Sequence, residues 1–252
     1  MTDHARSVVR TFQVFDAIAR EQRPLSSAAL AASIGAPRSS MADLLRTLVD
    51  LNLLAVDRRS ATYFPTARFA SLGTWLVQSW LGGEGLRESL VELASQSGET
   101  VTLTVPADLE IEIVFVLGAP TGIAWCPEVG QRYAVFGTAV GTTYLGTLPA
   151  STLRAMHRRA TVRQMPRLPP LAKCLAAARE AQRRGFSWAI GTYHPEVAAL
   201  AAHLPDDSLE RPLIVSVGGP TRRMEGKRVL LERMLREFVA NRAAQLRASR
   251  RR

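Results

Sequence analysis

GAPRSSMADLLRTLVDLNLL, residues 35–54, decides how the first third of the chain folds. Gly35 stops a preceding helix, and Pro37 suits the first turn of a new one. Met41, Leu44, Leu45, Leu48 and Val49 then recur at i, i+3, i+4, i+7 and i+8, the apolar stripe of an amphipathic helix. Its other face carries Arg38, Ser39, Ala42, Asp43, Arg46 and Thr47. Just upstream, LSSAALAASIG (residues 25–35) reads as a helix of barely two turns, with Ser26 as N-cap and Leu25 and Leu30 as a hydrophobic staple. Further upstream, Val8, Phe12, Phe15 and Ala19 fall at helical spacing before the break at Pro24, which predicts a helix over Ser7–Ala19 burying that face. Downstream, LLAVDRRSATYFP (residues 53–65) gives two β-like runs, Leu53–Val56 and Ala61–Phe64, around a turn carrying Arg58 and Arg59.

Two helices joined across a tight glycine turn, the second strongly amphipathic, followed by a short hairpin, make a winged helix-turn-helix. Small or hydrogen-bonding side chains near the start of the second helix let its backbone approach base edges. Arg38, Ser39, Ser40, Asp43 and Arg46 are therefore the candidate base-reading residues, with Arg58 and Arg59 at the wing tip and Arg6 and Arg10 as phosphate contacts. Asp43 counts against this, because a carboxylate is repelled by phosphates, although it can accept from cytosine N4. A small helical domain packed on something other than DNA is the competing reading; the wing arginines and basic flank oppose it.

The 252 residues are 47% hydrophobic and 21% charged, enough apolar material for a substantial core, which excludes disorder over most of the chain. The net charge of +10 is unevenly divided: +3 over residues 1–75, −1 over 76–219 and +8 over 220–252. Arginine supplies 30 of the 32 basic residues; codon bias in a GC-rich genome accounts for that ratio but not for the clustering. Cys126 and Cys174, 48 residues apart, make neither a disulfide framework nor a zinc knuckle, which points to a reducing, cytoplasmic setting. The first thirty residues show no signal-peptide pattern. Residues 133–153 lack charges, but three glycines, five threonines and Pro149 make them too polar for a membrane span.

Beyond residue 84 the patterns are mixed. GETVTLTV (98–105), IEIVFVL (111–117) and PLIVSV (212–217) are β-rich, whereas Ser151–Arg159, Leu171–Arg184 and Glu225–Arg247 have helical periods, which indicates an α+β fold. In the last helix Val229, Leu230, Met234, Leu235, Phe238, Val239 and Leu246 form the expected buried stripe. FASLGTWLVQSWLG (69–82) reads as a linker helix whose Leu72, Trp75, Leu76 and Trp80 suit either its own core or a dimer partner.

No enzyme site emerges. His194 and His203 with Glu196 lack the short ligand spacing of a zinc site, and no motif pairs Cys126 with a histidine. The GGP at Gly218–Pro220 reads as a turn without the lysine of a phosphate loop, and Glu110 and Glu112 read as a solvated strand face. Neither a metal nor a cofactor is expected.

GAPRSSMADLLRTLVDLNLL, TAVGTTYLG (138–146), RRGFSW (183–188) and IVSVGGPTRRM (214–224), in this order and spacing, resemble the IclR family of bacterial transcription regulators over nearly the whole chain. The resemblance implies a winged helix-turn-helix over residues 1–68, a linker helix over 69–83 and a GAF-like effector domain over 84–252, an antiparallel sheet flanked by helices around a small-molecule pocket. It also implies homodimers or homotetramers on double-stranded operator DNA. Two departures fall on the second helix, where the family's usual threonine and arginine are Ser40 and Asp43. By the same resemblance Thr138, Ala139, Val140, Gly141, Ala189, Val197, Ala199 and His203 line the effector pocket. The family's usual lysine, acidic residue and cysteine there are Thr142, Ala189 and Ala199. A carboxylate buried without such anchors is costly, so the expected effector is neutral or aromatic.

Overall fold

The computed structural model describes residues 3–80, 85–119, 125–205 and 212–249. The chain divides into two compact units, residues 1–77 and 78–252. Among the described residues no helix is long and apolar enough to cross a membrane.

The first unit runs α1 (Asp3–Glu21), β1 (Leu25–Ser26), α2 (Ser27–Ile34), α3 (Arg38–Asp50), β2 (Leu54–Asp57) and β3 (Thr62–Pro65), and α4 (Ala67–Trp80) begins in it. The local signals act as read. The Ser26 hydroxyl accepts from the Ala29 amide at 3.2 Å, Gly35 ends α2 in the left-handed region, and the staple pair Leu25 and Leu30 is buried. Met41, Leu45 and Leu48 of α3 meet Leu30, Val14, Phe15 and Ile18 in one core, and Phe15 stacks on Phe69 of α4 with ring centroids 3.9 Å apart. The wing has a third strand that the sequence did not announce, since β1 pairs antiparallel with β3.

The buried face of α1 differs from the expected one. Val8 is 58% and Phe12 63% exposed, and Ala19 is exposed too; the core takes Val14, Phe15, Ala17 and Ile18 instead. At about 100° per residue, that face is rotated roughly a quarter turn from the Val8–Phe12–Ala19 stripe. Packing against α2 and α3 selects the face, and it also brings Arg10 to α3. Leu72 on α4 is exposed, while the side chains of Trp75, Leu76 and Trp80 lie outside the described residues.

The second unit contains α5 (Leu86–Ser97), β4 (Thr100–Ala107), β5 (Glu110–Leu117), β6 (Arg132–Ala134), α6 (Ala139–Gly146), α7 (Ala150–Val162) and α8 (Leu171–Arg184). It continues with β7 (Ser187–Ile190), β8 (Val197–Leu204), β9 (Leu213–Pro220), α9 (Thr221–Gly226) and α10 (Arg228–Ser249). Its six strands form one antiparallel sheet in the order β6-β5-β4-β9-β8-β7. On one side, Val101, Leu103, Leu200, Val215 and Val217 pack with α5 and α10; on the other, Ile111, Ala201 and Ile214 pack with α6, α7 and α8. Central strands buried on both sides explain β8, whose VAALAAHL would suit a helix by propensity. Its small side chains let helices approach both faces.

Three further expectations are corrected. Gly218–Pro220 is the end of β9, not a turn: a Cβ on Gly218 would stand 2.7 Å from the Trp125 ring, and one on Gly219 would collide with the Glu99 carboxylate. These glycines admit close neighbours to the strand. Val229 is 84% and Leu230 41% exposed, and the buried stripe of α10 runs through Leu231, Met234, Leu235 and Phe238. The helix starts afresh at Arg228 after α9, so contact with α5 and the sheet sets its phase. Glu110 and Glu112 are not merely solvated, because Arg132 on the neighbouring β6 bonds Glu112 at 2.7 Å and lies 3.9 Å from Glu110.

Candidate functional site

The first candidate surface is the outer face of α3 with the wing. Arg38, Ser39, Asp43 and Arg46 are exposed on α3, Arg58 and Arg59 are exposed in the β2–β3 turn, and Arg6 is exposed on α1. Arg46 donates to the Asp43 carboxylate at 3.1 Å, one helical turn away, so the acidic group is partnered on its own helix. Ser40 is turned away from this face: it is half-buried and accepts from the Arg10 guanidinium at 3.1 Å. That bond ties α1 to the start of α3. At the wing, the Asp57 carboxylate accepts from the Ser60 hydroxyl at 2.6 Å and the Arg59 amide at 2.9 Å. These bonds, the hydroxyl's first, hold its pKa below the usual carboxylate value and shape the turn that presents both arginines.

The second is a cavity of about 40 Å³ between the sheet and the start of α6. Of the eight residues expected to line it, Thr138, Ala139, Val140, Ala189, Val197 and Ala199 do so. Gly141 does not, for two reasons. Its amide donates to the Thr138 hydroxyl at 3.1 Å as the N-cap of α6, and a Cβ there would collide with the Val135 carbonyl, so the glycine serves close packing. His203 lies on the same face of β8 as Val197 and Ala199 but nearer the other end of the strand, exposed and outside the cavity. Surrounding protein desolvates its ring and lowers its pKa.

A network of hydroxyls sets α6 over the sheet. Ser187 lies 2.7 Å from the Ala139 carbonyl, Thr143 lies 3.0 Å from the Ala201 carbonyl, and the two hydroxyls are 2.8 Å apart, so their two protons serve two of these three contacts at a time. Thr138 donates to Ala134 O at 2.9 Å as well as capping the helix. On the floor of the cavity, Thr102 and Ser216 bond each other across β4 and β9 at 2.7 Å, and Thr104 donates to Ile214 O at 3.3 Å.

Sequence reading missed the aromatic side of the cavity. Trp125, Tyr133 and Tyr193 line it; Tyr133 packs edge-on to Tyr193 with centroids 4.7 Å apart, and Trp125 lies 6.1 Å from Tyr133. The Tyr193 hydroxyl accepts from Gln131, whereas the buried Tyr133 hydroxyl has no hydrogen-bond partner among the described residues. Burial, and secondarily Tyr193, raise the Tyr133 pKa, so the phenol keeps its proton at neutral pH. A signal existed for the floor, since alternate residues of TVTLTV are threonines in a strand buried on both faces. The Trp125-Cys126-Pro127 loop drew attention for its cysteine, while its tryptophan forms the wall. Among the described residues that line the cavity there is no lysine, arginine or histidine. Among the described residues no group of three histidines, cysteines or carboxylates could hold a metal ion.

A winged helix-turn-helix in one unit and, following it in the chain, a pocket-bearing α+β unit define a transcription regulator with an effector domain. Residues 7–58 match the IclR helix-turn-helix domain and residues 84–247 the C-terminal domain of bacterial transcriptional regulator IclR. The chain belongs to the IclR family of bacterial transcriptional regulators, a family of regulators and not of enzymes. No curated protein matches it.

Solved structures of the same fold include the IclR of Thermotoga maritima, with 17% identity over 96% of this chain and 99% of that one at a TM-score of 0.76. An IclR transcriptional regulator of Alicyclobacillus acidocaldarius is 21% identical over 95% and 98%, TM-score 0.71. An IclR homologue of Microbacterium hydrocarbonoxydans, solved in complex with 4-hydroxybenzoate, is 15% identical over 96% and 99%, TM-score 0.74.

Proposed function

We propose that this chain binds double-stranded operator DNA in a sequence-dependent way in the cytoplasm, and that a neutral or aromatic small molecule in its C-terminal cavity modulates the binding. The working parts are a DNA-binding domain over residues 1–68, a linker helix over 69–83 and an effector domain over 84–252. The single observation that carries the DNA reading is the exposed face of α3, where Arg38, Ser39, Asp43 and Arg46 stand clear of the core. The Arg46 and Asp43 side chains bond each other at an exposed site, so their exchange for base or phosphate partners costs little. Arg58, Arg59, Arg6 and Arg10 serve the phosphates, and Ser40 acts by holding Arg10.

The effector reading rests on the cavity's hydroxyl and aromatic lining without a cation. A single-ring ligand agrees with the 4-hydroxybenzoate bound by the Microbacterium homologue; that ligand's negative charge finds no counterpart here. Regulation follows as a population shift in a homodimer or homotetramer, with the effector favouring one arrangement of paired reading helices by its differential affinity. Asp43 supports a second reading, a ligand-binding module with weak or non-specific DNA binding.

Fluorescence anisotropy on DNA from upstream of the gene against scrambled DNA, across a salt titration, separates the two. A preference of about 1000-fold or more is expected, with affinity falling steeply in salt. Arg59→Ala should weaken both DNAs alike and lower the salt slope by about 1, whereas Ser39→Ala should change the preference. Equal affinity for both DNAs would leave the binding-module reading.

A further inference from the structure

Among the described residues, one buried side-chain oxygen on the walls of the cavity has no hydrogen-bond partner. Every other buried hydroxyl on its walls has a partner in the fold: Thr102 with Ser216, Thr104 with Ile214 O, and Thr138 with Ala134 O and the Gly141 amide. Tyr133 is 6% exposed and lines the cavity, yet its hydroxyl is buried with no partner among the described residues. Native folds rarely leave such a group unsatisfied, and in a pocket the usual explanation is something that binds there. The two aromatic neighbours, Trp125 and Tyr193, offer that phenol ring faces and edges rather than hydrogen-bond acceptors.

Resting on the effector reading above, we infer that Tyr133 is the polar anchor of the effector, donating its hydroxyl proton to an uncharged acceptor oxygen on a compact, single-ring ligand. Three observations set the class. The orphan is an O–H that stays protonated at neutral pH, so the ligand must offer an acceptor. Among the described residues no lysine, arginine or histidine lines the cavity, so a carboxylate would enter without a counter-charge; the acceptor is therefore a carbonyl or ether oxygen, as in an amide, ester or ketone. The flanking aromatic rings favour a flat ring, and a cavity of about 40 Å³ must widen to admit even one, which disfavours a fused system. The start of α6 adds a partial positive field, but the Thr138 hydroxyl already takes the Gly141 amide there.

Calorimetry on the full chain with benzamide, benzoate and toluene tests this, each with the wild type, Tyr133→Phe and Ala189→Leu, the last filling the cavity from its edge strand. Benzamide should bind the wild type at least tenfold more tightly than benzoate does. Tyr133→Phe should weaken benzamide about tenfold, the loss of one hydrogen bond, and leave toluene unchanged. The unliganded Phe variant should melt no lower than the wild type, since it loses a hydroxyl that bonds nothing. Benzoate binding as tightly as benzamide, benzamide indifferent to Tyr133→Phe, a lower melting point for the Phe variant, or no binding of benzamide at millimolar concentration would each overturn the inference. Benzamide binding that survives Ala189→Leu would instead overturn the cavity as the effector site. Ligand binding lost in Ala189→Leu but unchanged in Tyr133→Phe would keep the site and remove only the anchor.

Discussion

Asp43 and Glu99 are both carboxylates bonded to an arginine, one in each unit, and they behave oppositely. Asp43 and Arg46 are three residues apart on α3, with side chains 74% and 71% exposed. Glu99 is completely buried at the start of β4, bonded twice at 2.6 Å by Arg223, which is 124 residues away on α9, and once at 3.3 Å by Lys227. The first pair is screened by water on every side and holds its partners loosely. In the second the carboxylate has been taken out of water while Arg223 and Lys227 reach it from a partly exposed rim, so the buried negative charge depends on its cations. The contrast places adaptability on the exposed face of α3 and rigidity at the end of the sheet, beside the strand that carries Ser216 to the floor of the cavity.

Breaking the buried pair should give the largest effect. Arg223→Ala leaves the Glu99 carboxylate with Lys227 alone and should cost about 3 kcal/mol in the second unit. Calorimetry should show its transition lowered by roughly 6–12 °C while that of the first unit stays in place. A loss below about 1 kcal/mol would mean that the pair is replaceable by water and that the contrast is false.

At the exposed pair the expected change is far smaller. Asp43→Ala should change the stability of the first unit in urea unfolding by no more than about 0.5 kcal/mol, and a loss above about 1 kcal/mol would make the pair structural. Smallest is a pH effect at His203, whose pKa burial lowers from 6.5. The unfolded chain then takes up the proton first, so this contribution is complete above about pH 6.5 and is lost as the pH falls below it. Urea titrations at pH 7.5 and 5.5 should show a slightly steeper loss in the wild type than in His203→Asn; identical slopes would remove the histidine from the account.

Local chemistry was legible throughout. Ser26, Gly35 and Pro37 mark helix ends because a cap or a fixed φ acts within a turn or two, and α8 has the bounds its period predicts, Leu171–Arg184. Rotational phase was not. The stripes assumed for α1 and α10 each included residues that the fold exposes, because an apolar residue is buried only where a neighbour reaches it. For the cavity, six lining residues could be named in advance, yet Tyr133 and Trp125 could not. Tyr133 comes from edge strand β6 and Trp125 from a loop, and they meet across a sheet whose order is set by pairings over 100 residues apart.

By itself the sequence determined the helix-turn-helix with its wing and the α+β class of the remainder. Those follow from spacing, capping and composition, which act over a few residues. Only the tertiary structure decided that Ser40 holds Arg10, that Gly218 and Gly219 make room for Trp125 and Glu99, and that the Tyr133 hydroxyl ends in a cavity without a partner. Each of these depends on which distant surface arrives within hydrogen-bonding or van der Waals distance, and that is settled by packing the whole core at once.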